Sequence, residues 1–228
     1  INFLITNGGV YHWDVCSPAA SYDTYITGYN AANTGTALWY NDDNCGLQSS
    51  TSSFGDWTSN YSGSMDVQLS QYNSSTPGAW GGYLGSSVLN YKCTPGGSVI
   101  ADGTAGSNAW NVFVYNSQTL GTNYSGYYSI SALSFDTRLG QANSTAQSWN
   151  QSSQGPSYAP GYLGCPAGID NISYRFKRTG FPCGYYTIVG DWDDNMVLYI
   201  NGTAVSSQGC CNGSPTLWSG YIGPSTTI

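Results

Sequence analysis

No glutamate occurs anywhere in this chain, and lysine and arginine together number five. Solvent-facing helices draw on Glu, Lys and Arg for intrinsic propensity and for side-chain pairs one turn apart, so a chain without them is steered towards strands and turns. Thirty glycines reinforce the bias, because glycine weakens helices and bounds strands. Short stretches of β-branched and aromatic residues recur between Gly, Asn, Asp and Pro, at residues 1–5, 64–69, 110–115, 172–176, 185–189 and 196–200. That is how a sandwich or barrel reads in sequence. The expectation is an all-β chain, an antiparallel β-sandwich with long loops and few helices. Residues 30–36 and 143–156 are the polar segments expected to be such loops.

A chain of 228 residues can bury a substantial core. A turn-forming polar run at residues 73–78 sets a soft boundary. It separates residues 1–76, an N-terminal β segment or small β domain with aromatics around Tyr11-Trp13 and Trp39-Tyr40, from residues 77–228, the main sandwich. The pattern Gly-Tyr-apolar-Gly recurs at residues 82–85, 161–164 and 220–223, at unequal spacings. These read as strand tips flanked by turn glycines, not as a repeat architecture.

Twelve aspartates against five basic residues give a net charge of −7, which repels phosphate backbones and anionic membranes. Nucleic acid is not an expected partner, and the apolar runs are too short to span a bilayer. Cys16, Cys45, Cys93, Cys165, Cys183, Cys210 and Cys211 are too scattered for a zinc site and have only His12 beside them as a nitrogen ligand. They read as disulfides of a secreted, extracellular or cell-surface protein. The spacing does not fix the connectivity; Cys16 with Cys45, and Cys183 with Cys210 or Cys211, are the pairings expected, and the odd cysteine is free to pair outside the chain. Eight Asn-x-Ser/Thr sites are glycan acceptors if the protein passes through a eukaryotic secretory route. No signal peptide is visible and Ile1 is not an initiator methionine, which reads as a processed chain or part of a longer one.

Asn201-Gly202, between Val197-Leu198-Tyr199-Ile200 and Thr203-Ala204-Val205, is a strong hairpin signal, because a type I′ turn needs positive φ at both central residues. Before it stands the acidic run Asp191-Trp192-Asp193-Asp194-Asn195. This order resembles the signature of the protective-antigen-like β-sandwich, the lectin-like fold of yeast flocculins and many bacterial surface proteins. There an Asp-Asp pair precedes an apolar strand and a tight hairpin. The segments Thr76-Pro77-Gly78-Ala79-Trp80-Gly81-Gly82-Tyr83 and Phe135-Asp136-Thr137-Arg138-Leu139-Gly140 are similar to the opening of such domains in large secreted adhesins. The resemblance covers about residues 77–228. It implies a jelly-roll-like sandwich in which Asp193 and Asp194, with Asp191 and Asn195 as neighbours, ligate one Ca²⁺ that holds sugar hydroxyls. Calcium takes six to eight oxygens, which clustered carboxylates on a loop supply. The chain departs from the family pattern where Asn195 replaces the usual glycine and where Trp192 precedes the pair.

Catalysis is not expected. His12 is the sole histidine and reads as a half-buried strand residue; no Gly-x-Ser-x-Gly elbow, phosphate loop or dinucleotide fingerprint is present. Two non-catalytic functions follow. In a carbohydrate-binding or adhesin module, with glycans or cell-surface polysaccharide as partners, Trp192, Asn195 and Trp218 are expected to contact the ligand beside a Ca²⁺ at Asp191, Asp193 and Asp194. In a structural subunit of an extracellular filament or repetitive surface assembly, polar-aromatic surfaces instead contact other copies.

Overall fold

The computed structural model describes residues 2–14, 24–30, 33–42, 54–71, 90–97, 99–135, 156, 159–168, 171–192, 194–210 and 213–228. Its strands are β1 (Asn2–Ile5), β2 (Gly9–Asp14), β3 (Thr24–Asn30), β4 (Asn33–Asp42), β5 (Phe54–Thr58), β6 (Gly63–Gln71), β7 (Asn90–Pro95) and β8 (Gly106–Ser107). They continue with β9 (Trp110–Tyr115), β10 (Tyr124–Ile130), β11 (Leu163–Gly164), β12 (Ser173–Thr179), β13 (Gly184–Val189), β14 (Met196–Ile200), β15 (Thr203–Gln208) and β16 (Thr216–Ile222). No α-helix occurs among the described residues, and the strands form several mainly antiparallel sheets. The chain is all-β, as its composition demands. It divides into two compact units, Ile1–Val99 with Tyr162–Ala167, and Ile100–Gly161 with Gly168–Ile228. The boundary expected after residue 76 lies outside the described residues.

The first unit is a two-sheet sandwich. One sheet has the order β1-β6-β3-β4 and the other β5-β2-β7. Alternation along β2 buries Tyr11 and Trp13 while Val10 and His12 are half-buried on the opposite side; along β6 it buries Met65 and Val67. Ile5, Ile26, Met65 and Val67 from the larger sheet thus meet Tyr11 and Trp13 from the smaller one, with Phe3, Trp39, Trp57, Tyr61 and Cys93 packed around them. Trp13 lies between Tyr11 and Trp39, with ring centroids 5.5 and 5.1 Å away and nearly parallel planes, and Phe3 approaches its edge at 5.9 Å. Gly28 makes room for Trp39, since a Cβ there would collide with the indole. The segment carrying β11 is tied to the start of the chain: Gly164 N–H donates to Asn7 O at 2.7 Å, and the Thr6 hydroxyl donates to Gly164 O.

Disulfide bonding departs from expectation. Cys93 on β7 pairs with Cys165, 72 residues away, while Cys183 is free and exposed and Cys210 is bonded to a cysteine outside the described residues. Cys183 therefore pairs with neither Cys210 nor Cys211. Its thiol stands at the entry to β13 facing Gly223, where a Cβ would lie 3.3 Å from the sulfur. Cys16 and Cys45 lie outside the described residues. The loop expected at residues 30–36 is shorter than anticipated: β3 runs to Asn30 and β4 starts at Asn33, with these two residues facing each other across the hairpin. Residues 143–155 lie outside the described part.

In the second unit, β9 is central. It pairs with β10 on one side and β12 on the other, and Asn111–Tyr115 are all buried. A strand covered on both faces reads as a nearly continuous apolar run, which is what Trp110-Asn111-Val112-Phe113-Val114-Tyr115 is. β8 adds a short parallel pairing to β12 at Arg178 and Thr179. Arg178 is 4% exposed; its guanidinium donates to Ser131 O at 2.9 Å and lies 5.3 Å from the Phe181 ring centre. The turn at Asn201-Gly202 has φ of 50° and 80°, the two positive angles that the sequence required.

The Tyr115 hydroxyl donates to Asp102, which also accepts from Arg175 at 3.0 Å, and the Tyr124 hydroxyl donates to Ile100 O at 3.0 Å. Burial, followed by the Asp102 carboxylate, pushes both phenols well above the ordinary tyrosine range. A tyrosine whose folded pKa exceeds its unfolded value, about 10, contributes its full stabilisation below that pH and loses it as pH rises towards the folded value. In a phenolate absorbance titration, Tyr115 and Tyr124 should therefore be among the tyrosines that lag behind the main transition. Tyr115→Phe should remove one lagging group. A single transition of all tyrosines near the ordinary value would contradict this packing.

Candidate functional site

β13 runs straight into the acidic loop, and β14 leaves it. Asp191, Asp194 and Asn195 are exposed; Asp193 lies outside the described residues. Trp192 is half-buried and its indole N–H donates to Gly209 O at 2.8 Å, so the ring anchors the loop to the segment after β15. Asp194 stands on the same segment, with Oδ1 3.6 Å from the disulfide-bonded Cys210 sulfur. The structure thus brings Trp192 and Asp194 together against residues 209–210. Among the described residues no three His, Cys, Asp or Glu side chains converge as a metal would require. The donor set of the whole loop, three carboxylates and one amide, is of the hard-oxygen type that suits Ca²⁺.

Trp218 lies on β16 opposite Ile188. Its ring covers Gly220, where a Cβ would collide with it. Alternation along the β13–β16 ribbon places Trp218 on the same side as Tyr186, Ile188 and Ile222, which are half-buried or buried. Trp192 and Trp218, the aromatics singled out in sequence, are thus both half-buried, the first held against Gly209 and the second over Gly220.

The opposite side of the ribbon is open. Tyr185 and Tyr221 face each other directly across the strands and are 63% and 82% exposed. Their centroids are 5.2 Å apart and the planes meet at 82°. The next pair on this face is Thr187 and Ser219, whose hydroxyls are hydrogen-bonded at 3.2 Å. Val189, 53% exposed, continues it. Neither strand contributes a charged residue. This platform of two phenol rings, two hydroxyls and an aliphatic side chain was missed in the sequence. The available signal was strand parity: Tyr221 alternates with Ser219, whereas Trp218 alternates with Ile222.

His12, on β2 of the first unit, is half-buried, between Asp56 on β5 and Lys92 on β7 in the sheet register. No protein-family model, curated protein or solved structure matches the chain.

Proposed function

We propose that the chain is a binding module of a secreted or cell-surface protein, an adhesin or carbohydrate-binding unit that engages glycans through the exposed face of the β13–β16 ribbon. The observation carrying this reading is the Tyr185–Tyr221 pair, more than half exposed on both rings and flanked by the Thr187–Ser219 hydroxyls. Contiguous apolar surface left open to water marks an interaction site, and aromatic rings beside a few fixed polar groups are what a sugar requires: a flat apolar surface for its C–H groups and hydrogen-bond partners for its hydroxyls. The Cys93–Cys165 disulfide supports an oxidising compartment. Calcium belongs to the proposal as an auxiliary ion with Asp191, Asp193 and Asp194 as its ligands, at the end of β13 from which the platform extends.

The test is a glycan array run with calcium and with chelator. Binding is expected for the unmodified chain and should fall at least tenfold, about 1.4 kcal/mol, in Tyr185→Ala/Tyr221→Ala. Absence of binding, or binding indifferent to both substitutions, would overturn the proposal. A second reading, a subunit of an extracellular filament or repetitive assembly, is favoured by the exposed free thiol of Cys183 immediately before β13. It requires ordered multimers that Cys183→Ser disperses.

A further inference from the structure

Resting on the glycan-binding reading and narrowing it, we propose that the Tyr185–Tyr221 corner recognises one or a few sugar units of a soluble, neutral chain rather than the flat surface of a crystalline polysaccharide. Sugar rings in a crystalline sheet are presented side by side in one plane, so aromatic rings that bind them must be coplanar. Here the planes meet at 82°. Only one ring can lie flat on such a sheet, and the other would drive its edge into it. The same corner fits an isolated sugar well. A pyranose stacked on the more open Tyr221 places its rim against Tyr185, and both contacts use the apolar C–H surface of one unit.

The neighbouring hydroxyls define the rest of the ligand. Ser219 Oγ donates to Thr187 Oγ1, which leaves the Thr187 proton to donate and the Ser219 lone pairs to accept. A donor and an acceptor 3.2 Å apart match two adjacent hydroxyls of a sugar, one accepting and one donating. The ribbon offers no ammonium, guanidinium or carboxylate to a charged ligand. An acidic sugar would lose hydration on docking without gaining a partner, and would approach a chain of charge −7. From Tyr185 to Val189 the platform extends about 13 Å, room for about two or three sugar units. Affinity should therefore stop rising at about that length.

The experiment measures binding of the purified chain to soluble neutral oligosaccharides of one to six units in α- and β-linked gluco-, manno- and galacto-series, to uronic-acid oligomers, and to suspended crystalline cellulose and chitin. Three variants accompany it: Tyr185→Ala/Tyr221→Ala, Tyr221→Phe and Thr187→Val/Ser219→Ala. The expected result is tyrosine-dependent binding of soluble neutral chains that levels off by the trimer. Thr187→Val/Ser219→Ala should weaken it about tenfold. Tyr221→Phe, which keeps the ring, should hold it within about twofold and so separates loss of stacking from misfolding. Tyrosine-dependent retention on cellulose or chitin, affinity climbing through the hexamer, or equal binding of uronic acids would overturn this inference while sparing the broader reading. Carbohydrate binding that is absent throughout, or unaffected by Tyr185→Ala/Tyr221→Ala, would overturn both.

Discussion

Trp13→Ala is expected to cost the first unit about 3–5 kcal/mol, the range for removing a fully buried large aromatic side chain. Trp13 is wholly inaccessible to solvent and is the centre of a three-ring stack, with Tyr11 and Trp39 on its two faces and Phe3 at its edge. Alanine would remove the transfer energy of the indole and leave a void between the two sheets that rigid neighbours cannot close. Trp13→Phe, which keeps part of the stack, should cost less. Urea unfolding followed by tryptophan fluorescence measures both. A cost below about 1 kcal/mol for alanine would mean that these rings do not form the core. Against a total stability of about 5–15 kcal/mol for an ordinary domain, the expected loss brings the unit close to unfolding.

The second large effect concerns the bond between Cys93 and Cys165. Linking residues 72 apart restricts the denatured chain far more than a local bridge does, and the chain-entropy relation gives about 4 kcal/mol for that separation. The bridge also secures the short segment whose Gly164 hydrogen-bonds Asn7. Cys93→Ala/Cys165→Ala should therefore lower the urea midpoint by an amount comparable with Trp13→Ala. Amide exchange at Gly164 should accelerate with it. Unchanged stability in the double variant would show that the linkage contributes nothing to folding. Cys183 offers an internal control: thiol labelling of the native chain should modify it before any reduction.

Local order was legible in the sequence because it depends on neighbours along the chain. The stretches at residues 110–115 and 196–200 coincide with β9 and β14, and Asn201-Gly202 forms the hairpin turn that its positive φ angles permit. That no α-helix occurs among the described residues agrees with the absence of glutamate. Pairing between distant segments was not legible. Nothing near Cys93 marks Cys165 as its partner, since that contact arises only when β7 and the segment around residue 165 are brought together by the fold. The same holds for the binding face. Tyr185 and Tyr221 are 36 positions apart in the chain and become a pair through the register of β13 with β16.

Trp192 and Trp218 illustrate a second limit. Large aromatics serve equally as ligand platforms and as packing, and residue type alone does not choose between them. Trp192 is committed by its hydrogen bond to Gly209 O, and Trp218 by the space that Gly220 leaves for it. Tyrosine, less apolar and with a hydroxyl to keep hydrated, costs less to leave in water. On this ribbon Trp218 and Tyr186 turn inward, and Tyr185 and Tyr221 outward.

The role of the uncharged tyrosine face is tested most directly by NMR of the Tyr185 and Tyr221 ring protons while a neutral oligosaccharide is titrated into the chain. Both rings should shift and show contacts to sugar C–H protons, and those contacts should vanish in Tyr185→Ala/Tyr221→Ala. Rings that stay unmoved while the resonances of Asp191, Asp194 and Asn195 respond would place the ligand on the acidic loop instead and contradict the assignment.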